Sequence, residues 1–334
     1  MGHRARGTLE PPGVLGGNAR YPQGGPLNQA HRIAALACGS LMLIAAPVAM
    51  PAPQGTSMTH DRTGVVGDRM RAPGREVLGS SGNLRALIGT PASLAHSPAL
   101  KPLLLGVPLD APGVHSLGLT APDREPLVVV SLEPLGAIAD AQLEAYRVGR
   151  WPTRGLAARD PRYAPPSGFI PVTPENASTL VSKRFRLGDF LTHDQRDVWP
   201  KVLVLRVALL DKLELIGDQL ERRGLPGSLR IMSGFRTPQY NAQGVGRKGG
   251  RASESRHMYG DAADVFVDAN GDGVMDDLDG DGKITTRDAR VLYAVVEGVE
   301  AQYPDLAGGL SAYPANSAHG PFVHVDARGV RARW

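Results

Sequence analysis

Glycine and proline are unevenly distributed along this chain, and their distribution limits which part of it can form a packed core. The sequence contains 41 glycine and 28 proline residues, about a fifth of its 334 residues, and they are concentrated towards the N-terminal third. Residues 51–123 are rich in proline, glycine and serine and show no sustained apolar period. Such composition is typical of a linker rather than of a packed domain. The sequence therefore predicts a linker over residues 51–123.

An apolar, uncharged segment lies near the N-terminus. Residues 33–50 read IAALACGSLMLIAAPVAM and follow His31 and Arg32. A basic flank, an apolar core and then small residues and proline are the features of a secretory signal peptide. We therefore expect residues 1–50 to direct export to the periplasm, the cell envelope or the medium. An uncleaved membrane anchor is the alternative, because an apolar segment of this length can just span a bilayer.

Cysteine and charge exclude several classes of protein. Cys38 is the only cysteine and lies inside the apolar segment, so removal of the leader would exclude disulfides and a cysteine nucleophile. The formal charge is +4, and residues 1–50 contribute most of it through four arginines against Glu10. The remainder is close to neutral and has no basic stripe, which argues against a nucleic-acid partner. The sequence does not indicate an oligomeric state.

The middle of the chain predicts a small β-rich accessory region over residues 124–180. Its apolar run PLVVVSL, at 126–132, favours a buried strand, and residues 137–147 favour a short helix. Nothing in this region indicates a role.

The C-terminal half predicts an α+β domain over residues 181–334. An amphipathic pattern predicts a helix from Pro200 to Gly224, with Val202 and Leu205 on its apolar face. Further strands are predicted at 229–232, 265–268 and 322–326, and a second long helix at 288–303. Helices and strands are mixed without regular alternation, so we expect a small antiparallel sheet flanked by helices.

Two histidines and one aspartate stand where a metal site would need them. His257 precedes Asp264 by seven residues, and Gly260 allows the chain to turn between them. His324 lies in the predicted strand 322–326, where alternate side chains share a face. Two imidazoles and one carboxylate would leave a fourth tetrahedral position open for water, which is typical of catalytic zinc sites.

Two longer segments resemble those of a known family. The segment from Ser255 to Asp264 matches the pattern S-x-H-x-x-G-x-A-x-D, and the segment from Ser233 to Asn241 reads SGFRTPQYN. Together with His324 they are similar to the zinc D-alanyl-D-alanine carboxypeptidases and dipeptidases, whose fold is shared with the hedgehog signalling domain. The resemblance covers about residues 184–334.

The resemblance implies a function and a set of site residues. His257, Asp264 and His324 would bind Zn²⁺, and Arg236 would hold the substrate and stabilise negative charge on it. The implied activity is hydrolysis of D-alanine-containing peptidoglycan stem peptides, as a D,D-carboxypeptidase or a D,D-endopeptidase. A non-catalytic cell-wall-binding protein with the same fold is the alternative.

One position departs from the family pattern. Many members carry a carboxylate, the general base, three residues before the last zinc histidine, and this chain has Pro321 there. Two replacements are available, His319 and Asp326, and Asp326 could instead orient a zinc histidine.

An acidic, glycine-containing insert over residues 268–288 predicts calcium binding. Residues 277–288 fit a twelve-residue EF-hand loop with aspartate at position 12, as in dockerin-type loops. Its ligands would be Asp277, Asp279, Asp281, the Lys283 carbonyl, Thr285 and Asp288. A second set would use Asp268, Asn270, Asp272 and the Val274 carbonyl, and could share Asp279. The alternatives are a flexible acidic loop, or a dockerin-like scaffold module without catalysis.

Overall fold

The computed structural model describes residues 78–97, 101, 104, 106–246 and 250–334. The predicted signal peptide or anchor over residues 1–50 lies outside them, as does the first part of the predicted linker. Among the described residues there is no helix of sufficient length and apolarity to cross a membrane.

The described residues form a mixed α/β fold of small sheets and few helices. The strands are β1 Ala86–Gly89, β2 Gly113–Thr120, β3 Pro126–Ser131, β4 Gln142–Leu143, β5 Tyr146–Arg147, β6 Ile170–Val172, β7 Lys201–Leu203, β8 Leu229–Ser233, β9 Ala262–Val267, β10 Gly309–Tyr313, β11 Phe322–Asp326 and β12 Ala332–Arg333. The helices are α1 Pro91–Ala95, α2 Val207–Arg222, α3 Pro238–Gln243 and α4 Thr286–Gln302.

A five-stranded sheet in the order β12-β10-β11-β9-β8 is the largest of these sheets. All of its pairings are antiparallel except that of β10 with β12. Helix α4 packs against β10 and β11 and also against α2. Because Val265, Val323 and Val325 are fully buried, they fix which face of the sheet is turned to the core.

A buried ion pair joins both long helices to the end of β11. Lys212 of α2 donates to the Glu300 carboxylate of α4 at 2.5 Å and to the Asp326 carbonyl at 2.7 Å. Arg333 of β12 contacts the second oxygen of Glu300. This network satisfies the buried charges and holds the strand that carries His324.

The segment predicted as a linker supplies part of a second sheet. Strand β1 pairs with β3 in parallel and β2 pairs with β3 antiparallel, in the order β1-β3-β2. Alternate residues of β3 face two apolar clusters. Val128 and Val130 pack in the main core, whereas Leu127 and Val129 pack in a smaller cluster. The structure thus differs from the predicted linker from residue 84 onwards, because short apolar runs there find strand partners far along the chain.

The predicted accessory region is not separate from the C-terminal half. Strand β6 pairs with β7, and the described residues from 78 to 334 lie within one compact unit. The predicted helix at 137–147 is instead a 3-10 turn, Leu135–Ala137, followed by the β4–β5 hairpin. Asp140, Ala141 and Glu144 have positive φ there, which a helix excludes.

The helix predicted from Pro200 begins later than expected. Lys201–Leu203 is strand β7, and the helix starts only at Val207. Residues 202–205 are all buried, so this apolar run lies in the core as an extended segment, and pairing with β6 overrides the helical period. The predictions of a strand at 322–326 and a helix at 288–303 are confirmed by β11 and α4.

Candidate metal centre

Two neighbouring strands place Asp264 and His324 side by side. In the antiparallel pairing of β9 with β11, Asp264 lies directly opposite His324. Side chains of directly opposed residues share one face of a sheet and are close enough to interact. The sheet register therefore fixes this pair.

His257 reaches the same point from a 3-10 turn, Arg256–Tyr259, just before β9. The turn ends at Gly260, whose φ is +71°. A Cβ atom at Gly260 would lie 2.4 Å from the Val204 carbonyl oxygen, so the chain can return towards β9 only with glycine here.

Three ligand atoms converge in this buried group. Nε2 of His257 lies 3.2 Å from Nδ1 of His324. Oδ1 of Asp264 lies 3.3 Å from the first nitrogen and 2.9 Å from the second. Tetrahedral ligands with bonds of about 2.1 Å to one ion are about 3.4 Å apart. His257, Asp264 and His324 could therefore hold a metal ion, and together they are named the metal group.

The outer nitrogens of both rings have acceptors of their own. Nδ1 of His257 lies 2.7 Å from the Gly234 carbonyl, and Nε2 of His324 lies 3.4 Å from a carboxylate oxygen of Asp326. Because these acceptors carry no hydrogen, the hydrogen of each neutral ring belongs on its outer nitrogen. Both inner nitrogens then present lone pairs to the Asp264 carboxylate, an arrangement that a shared cation would satisfy.

Burial and mutual interactions shift the pKa of each of these three side chains. Burial lowers the pKa of the His257 imidazole. Burial would also lower the pKa of His324, but its hydrogen bonds with Asp264 and Asp326 outweigh burial and raise it. Burial opposes ionisation of Asp264 as well, yet its interactions with the two histidines hold its pKa well below its usual range.

Arg236 contacts the metal group through Asp264. Its Nη2 atom forms an ion pair with Oδ2 of Asp264, and its Nε donates to the Ser233 hydroxyl at 2.8 Å. Since Oδ2 is bound to arginine, Oδ1 is the oxygen turned towards the histidines. Arg236 also lines the cleft beside the group, where the family resemblance implies a substrate contact.

The two predicted candidates for a general base lie in different places. Asp326 lies on the far side of the His324 ring from Asp264, is fully buried, and contacts Arg328 and the Gly309 amide. Its position suits the orientation of His324 and does not suit proton transfer in the cleft. His319 does line the cleft.

The metal group opens onto a cleft of about 1100 Å³. One side of the cleft is aromatic and includes Tyr313, Phe322 and Trp334. Tyr313 and Trp334 could not be predicted from sequence patterns, because their relation to His324 depends on strand pairing. The indole ring of Trp334 lies 5.3 Å from the His324 ring.

The region predicted as accessory packs against the segment that carries His257. Trp151 donates its indole N–H to the Met258 carbonyl at 2.7 Å. Arg256 donates to the Arg162 carbonyl at 2.6 Å and lies 4.8 Å from the rings of Tyr163 and Tyr259. Residues 151–163 therefore support the metal group from outside.

The acidic insert brings three of its predicted ligands together. One carboxylate oxygen of each of Asp277, Asp279 and Asp281 lies within 4.8 Å of the others, at the surface. Asp288 and Thr285 cap α4, since Asp288 accepts from the Thr285 amide at 2.7 Å, and Asp288 also accepts the Leu278 amide of the loop at 2.8 Å. Lys283 donates its amide to Asp281 at 2.9 Å.

The second predicted set repeats the conformation of the first, nine residues earlier. Asp268 accepts amides three and five residues ahead, from Gly271 and Gly273, as Asp277 does from Gly280 and Gly282. Asn270 accepts the Asp272 amide, and Asp272 accepts the Val274 amide, at 2.9 and 2.8 Å. All four glycines have φ of +73° to +81°.

Comparison of the chain with protein-family models, with curated proteins and with solved structures finds no match.

Proposed function

We propose that this protein is a zinc-dependent peptidase that hydrolyses D-alanine-containing stem peptides of peptidoglycan, as a D,D-carboxypeptidase or a D,D-endopeptidase. The observation that carries the proposal is the convergence of two imidazole nitrogens and one carboxylate oxygen, 2.9 to 3.3 Å apart, beside an open cleft. Three protein ligands with an open side are typical of catalytic rather than structural metal sites.

Zn²⁺ suits this set of ligands better than Ca²⁺ or Mg²⁺ does. Imidazole is a typical zinc ligand, whereas the hard cations prefer sites made of oxygen alone. The ligand atoms would be Nε2 of His257, Oδ1 of Asp264 and Nδ1 of His324. When bound, zinc lowers the pKa of water and polarises carbonyl groups, which is the chemistry that amide hydrolysis requires.

The other residues of the centre hold these ligands in place. Arg236 keeps Oδ2 of Asp264 occupied, so that Oδ1 faces the histidines. Asp326, itself paired with Arg328, keeps the outer nitrogen of His324 protonated. Such partners orient the ligands and raise their affinity for the metal.

We assign proton transfer to His319. Nδ1 of His319 lies 2.8 Å from the Gly320 carbonyl, which directs the lone pair of the neutral ring to Nε2. Nε2 lies 2.8 Å from the Asn316 amide nitrogen. That hydrogen bond must open before Nε2 can accept a proton from the reacting groups.

The choice of substrate rests on the resemblance of residues 233–241 and 255–264 to the D-alanyl-D-alanine peptidases. The cleft adds a physical reason, because Arg251 lines it and its guanidinium stacks on Tyr240 at 4.3 Å. Arginine suits the free carboxylate at the end of a D-alanine peptide. Action on peptidoglycan also agrees with the export predicted from residues 1–50.

We further propose that residues 277–288 bind Ca²⁺ and that residues 268–279 bind a second ion. The clustered carboxylates and the two loops of equal conformation support this. Calcium would neutralise the carboxylates and fix the end of β9, which carries Asp264. The insert also approaches the residue after His319, since a Cβ atom at Gly320 would lie 3.8 Å from Val274.

Metal analysis and digestion of cell walls test the zinc proposal together. Purified protein should contain one zinc ion per chain. Sacculi treated with it should lose terminal D-alanine or cross-linked dimers. His257→Gln and His324→Gln should abolish both zinc content and hydrolysis, whereas His96→Gln, at an exposed histidine, should change neither. Loss of D-alanine indicates a carboxypeptidase, and loss of dimers indicates an endopeptidase.

A non-catalytic cell-wall-binding protein is the alternative, favoured by Pro321 and by the internal hydrogen bonds of His319. Zinc content with sacculus binding and no hydrolysis would establish it.

A further inference from the structure

Three aromatic residues lie beside His324 on one side of the cleft. Tyr313 is the direct cross-strand partner of Phe322, and their rings are stacked with centroids 4.8 Å apart and planes at 9°. Ser311 is the partner of His324, which makes Tyr313 its diagonal neighbour. Diagonal neighbours lie about 7–8 Å apart on one face of a sheet, within reach of aromatic side chains.

Trp334 spans the space between Tyr313 and His324. Its carbonyl accepts a hydrogen bond from the Ser311 hydroxyl at 2.7 Å, so the residue is anchored over β10. Its ring lies 5.3 Å from that of His324, and its Nε1 lies 2.6 Å from the Tyr313 oxygen. One indole therefore connects the phenol to a metal-group residue.

The hydrogen bond between Trp334 and Tyr313 has only one direction. An indole N–H can only donate, so the Tyr313 oxygen must be the acceptor. Within the described part of the chain this is the only hydrogen bond of the phenol. The hydroxyl hydrogen of Tyr313 therefore has no acceptor among the described residues. Its side chain lines the cleft together with the metal group.

We propose that Tyr313 is a further catalytic residue, whose hydroxyl donates a hydrogen bond to the carbonyl oxygen of the scissile amide. That oxygen gains negative charge during hydrolysis, and a fixed donor aimed at developing charge lowers the barrier. Trp334 is the positioning residue, because its N–H occupies the phenol oxygen and turns the hydroxyl hydrogen outward. The inference rests on the proposed peptidase function.

Kinetics of conservative variants test this role. Tyr313→Phe should lower kcat about 10²-fold with little change in KM, as expected for loss of one donor to a developing oxyanion. Tyr303→Phe, at a tyrosine outside the cleft, is the matched control and should keep wild-type kinetics. Melting temperatures of both variants should stay close to that of the wild type.

A double variant tests the part assigned to Trp334. Trp334→Phe keeps an aromatic ring but loses the N–H donor, so kcat should fall by less than in Tyr313→Phe. In Tyr313→Phe/Trp334→Phe the rate should be no lower than in Tyr313→Phe alone, because both residues act through one hydrogen bond. Multiplied effects would contradict the positioning role.

Binding of a phosphinate peptide provides a readout that is independent of turnover. Its tetrahedral anionic phosphorus mimics the tetrahedral species formed during hydrolysis, so calorimetry of the zinc-loaded protein should show affinity about tenfold weaker in Tyr313→Phe. Zinc affinity should be unchanged. A hydrolysing wild type with unaffected Tyr313→Phe kinetics and phosphinate binding would refute only the role of Tyr313. A wild type that neither hydrolyses stem peptides nor binds the phosphinate would overturn the peptidase function and this role with it.

Discussion

Nε2 of His324 lies 3.4 Å from Oδ2 of Asp326, on the side of the imidazole ring opposite to Asp264. Asp326 is fully buried and is also bound by Arg328 and by the Gly309 amide. The aspartate that the sequence offers as a general base thus lies behind a proposed ligand, where it fixes the ring and the position of its proton.

Asp326→Asn should weaken zinc binding by about 10- to 100-fold, because the amide removes the negative charge that holds the outer N–H of His324. Competition with a chromophoric chelator at neutral pH measures the affinity. Asp305→Asn, at an exposed aspartate, serves as control. Equal zinc affinity of Asp326→Asn and wild type would show that Asp326 does not support the ligand.

Arg236→Gln should destabilise the metal-free protein by about 3 kcal/mol, because the Asp264 carboxylate stays buried without its cation. Zinc would neutralise the same carboxylate, so the loss should be smaller in the zinc-loaded protein. Urea unfolding with and without zinc measures both values, and Arg222→Gln is an exposed control. A loss that zinc leaves unchanged would show that Arg236 acts elsewhere.

Gly260→Ala should lower the free energy of unfolding by about 3 kcal/mol or more. A positive φ costs a side-chain-bearing residue about 1–2 kcal/mol, and the added Cβ would also meet the Val204 carbonyl oxygen. Gly329→Ala is a matched control, since Gly329 has φ of +82° with nothing within 4 Å of its Cβ position. Denaturant unfolding of both variants separates the contact from the backbone cost, and equal losses would rule out the contact.

Sequence patterns could predict those parts of this molecule that depend on local spacing. The strand 322–326 and the helix 288–303 follow from alternation and from amphipathic period, and both occur within one or two residues of the expected bounds. His257, Asp264 and His324 could be grouped because two of them lie in one short segment and the third on a recognisable strand.

Features that depend on contacts between distant segments could not be predicted in this way. Residues 201–203 follow a helical period but pair with β6, about thirty residues earlier. Strand β1 lies in a glycine- and proline-rich stretch and is stabilised by β3. The positions of Asp326 and Trp334 around the His324 ring likewise depend on how the sheet packs.

Calcium at a few millimolar should raise the unfolding free energy by about 1–2 kcal/mol for each occupied loop, given affinities of about 10⁻⁴–10⁻³ M for extracellular sites. Thermal unfolding with calcium or with a calcium-selective chelator measures this, with zinc kept constant. Asp277→Asn should reduce the gain, and Asp110→Asn should not. Hydrolysis should also fall when calcium is removed, and an unchanged melting temperature and rate would contradict the calcium proposal.

Glu297 links α4 to β12 through Arg333 at 2.7 Å and Arg331 at 3.0 Å. The hydrogen bond from Arg333 lowers the pKa of Glu297 from 4.5 to about 2. A carboxyl group whose pKa is lower in the folded state stabilises the fold above pH 4.5, and this stabilisation is lost as the pH falls to about 2.

Glu297→Gln should therefore cost about 1 kcal/mol at neutral pH, a value reduced for the 31% exposure of the side chain. Between pH 4.5 and about 2 its unfolding free energy should fall less steeply than that of the wild type. Chemical denaturation across this range, with Glu144→Gln as control, provides the measurement. If the unfolding free energies of Glu297→Gln and wild type changed in parallel with pH, the ion pairs of Glu297 would contribute nothing to stability.

The direct opposition of Asp264 and His324 has a consequence for folding fidelity. A slip of β9 against β11 by one residue would turn one member of the pair to the opposite face of the sheet. Only the correctly aligned chain can then chelate an ion. A metal that binds tightly would therefore stabilise the correct register over the slipped one during maturation.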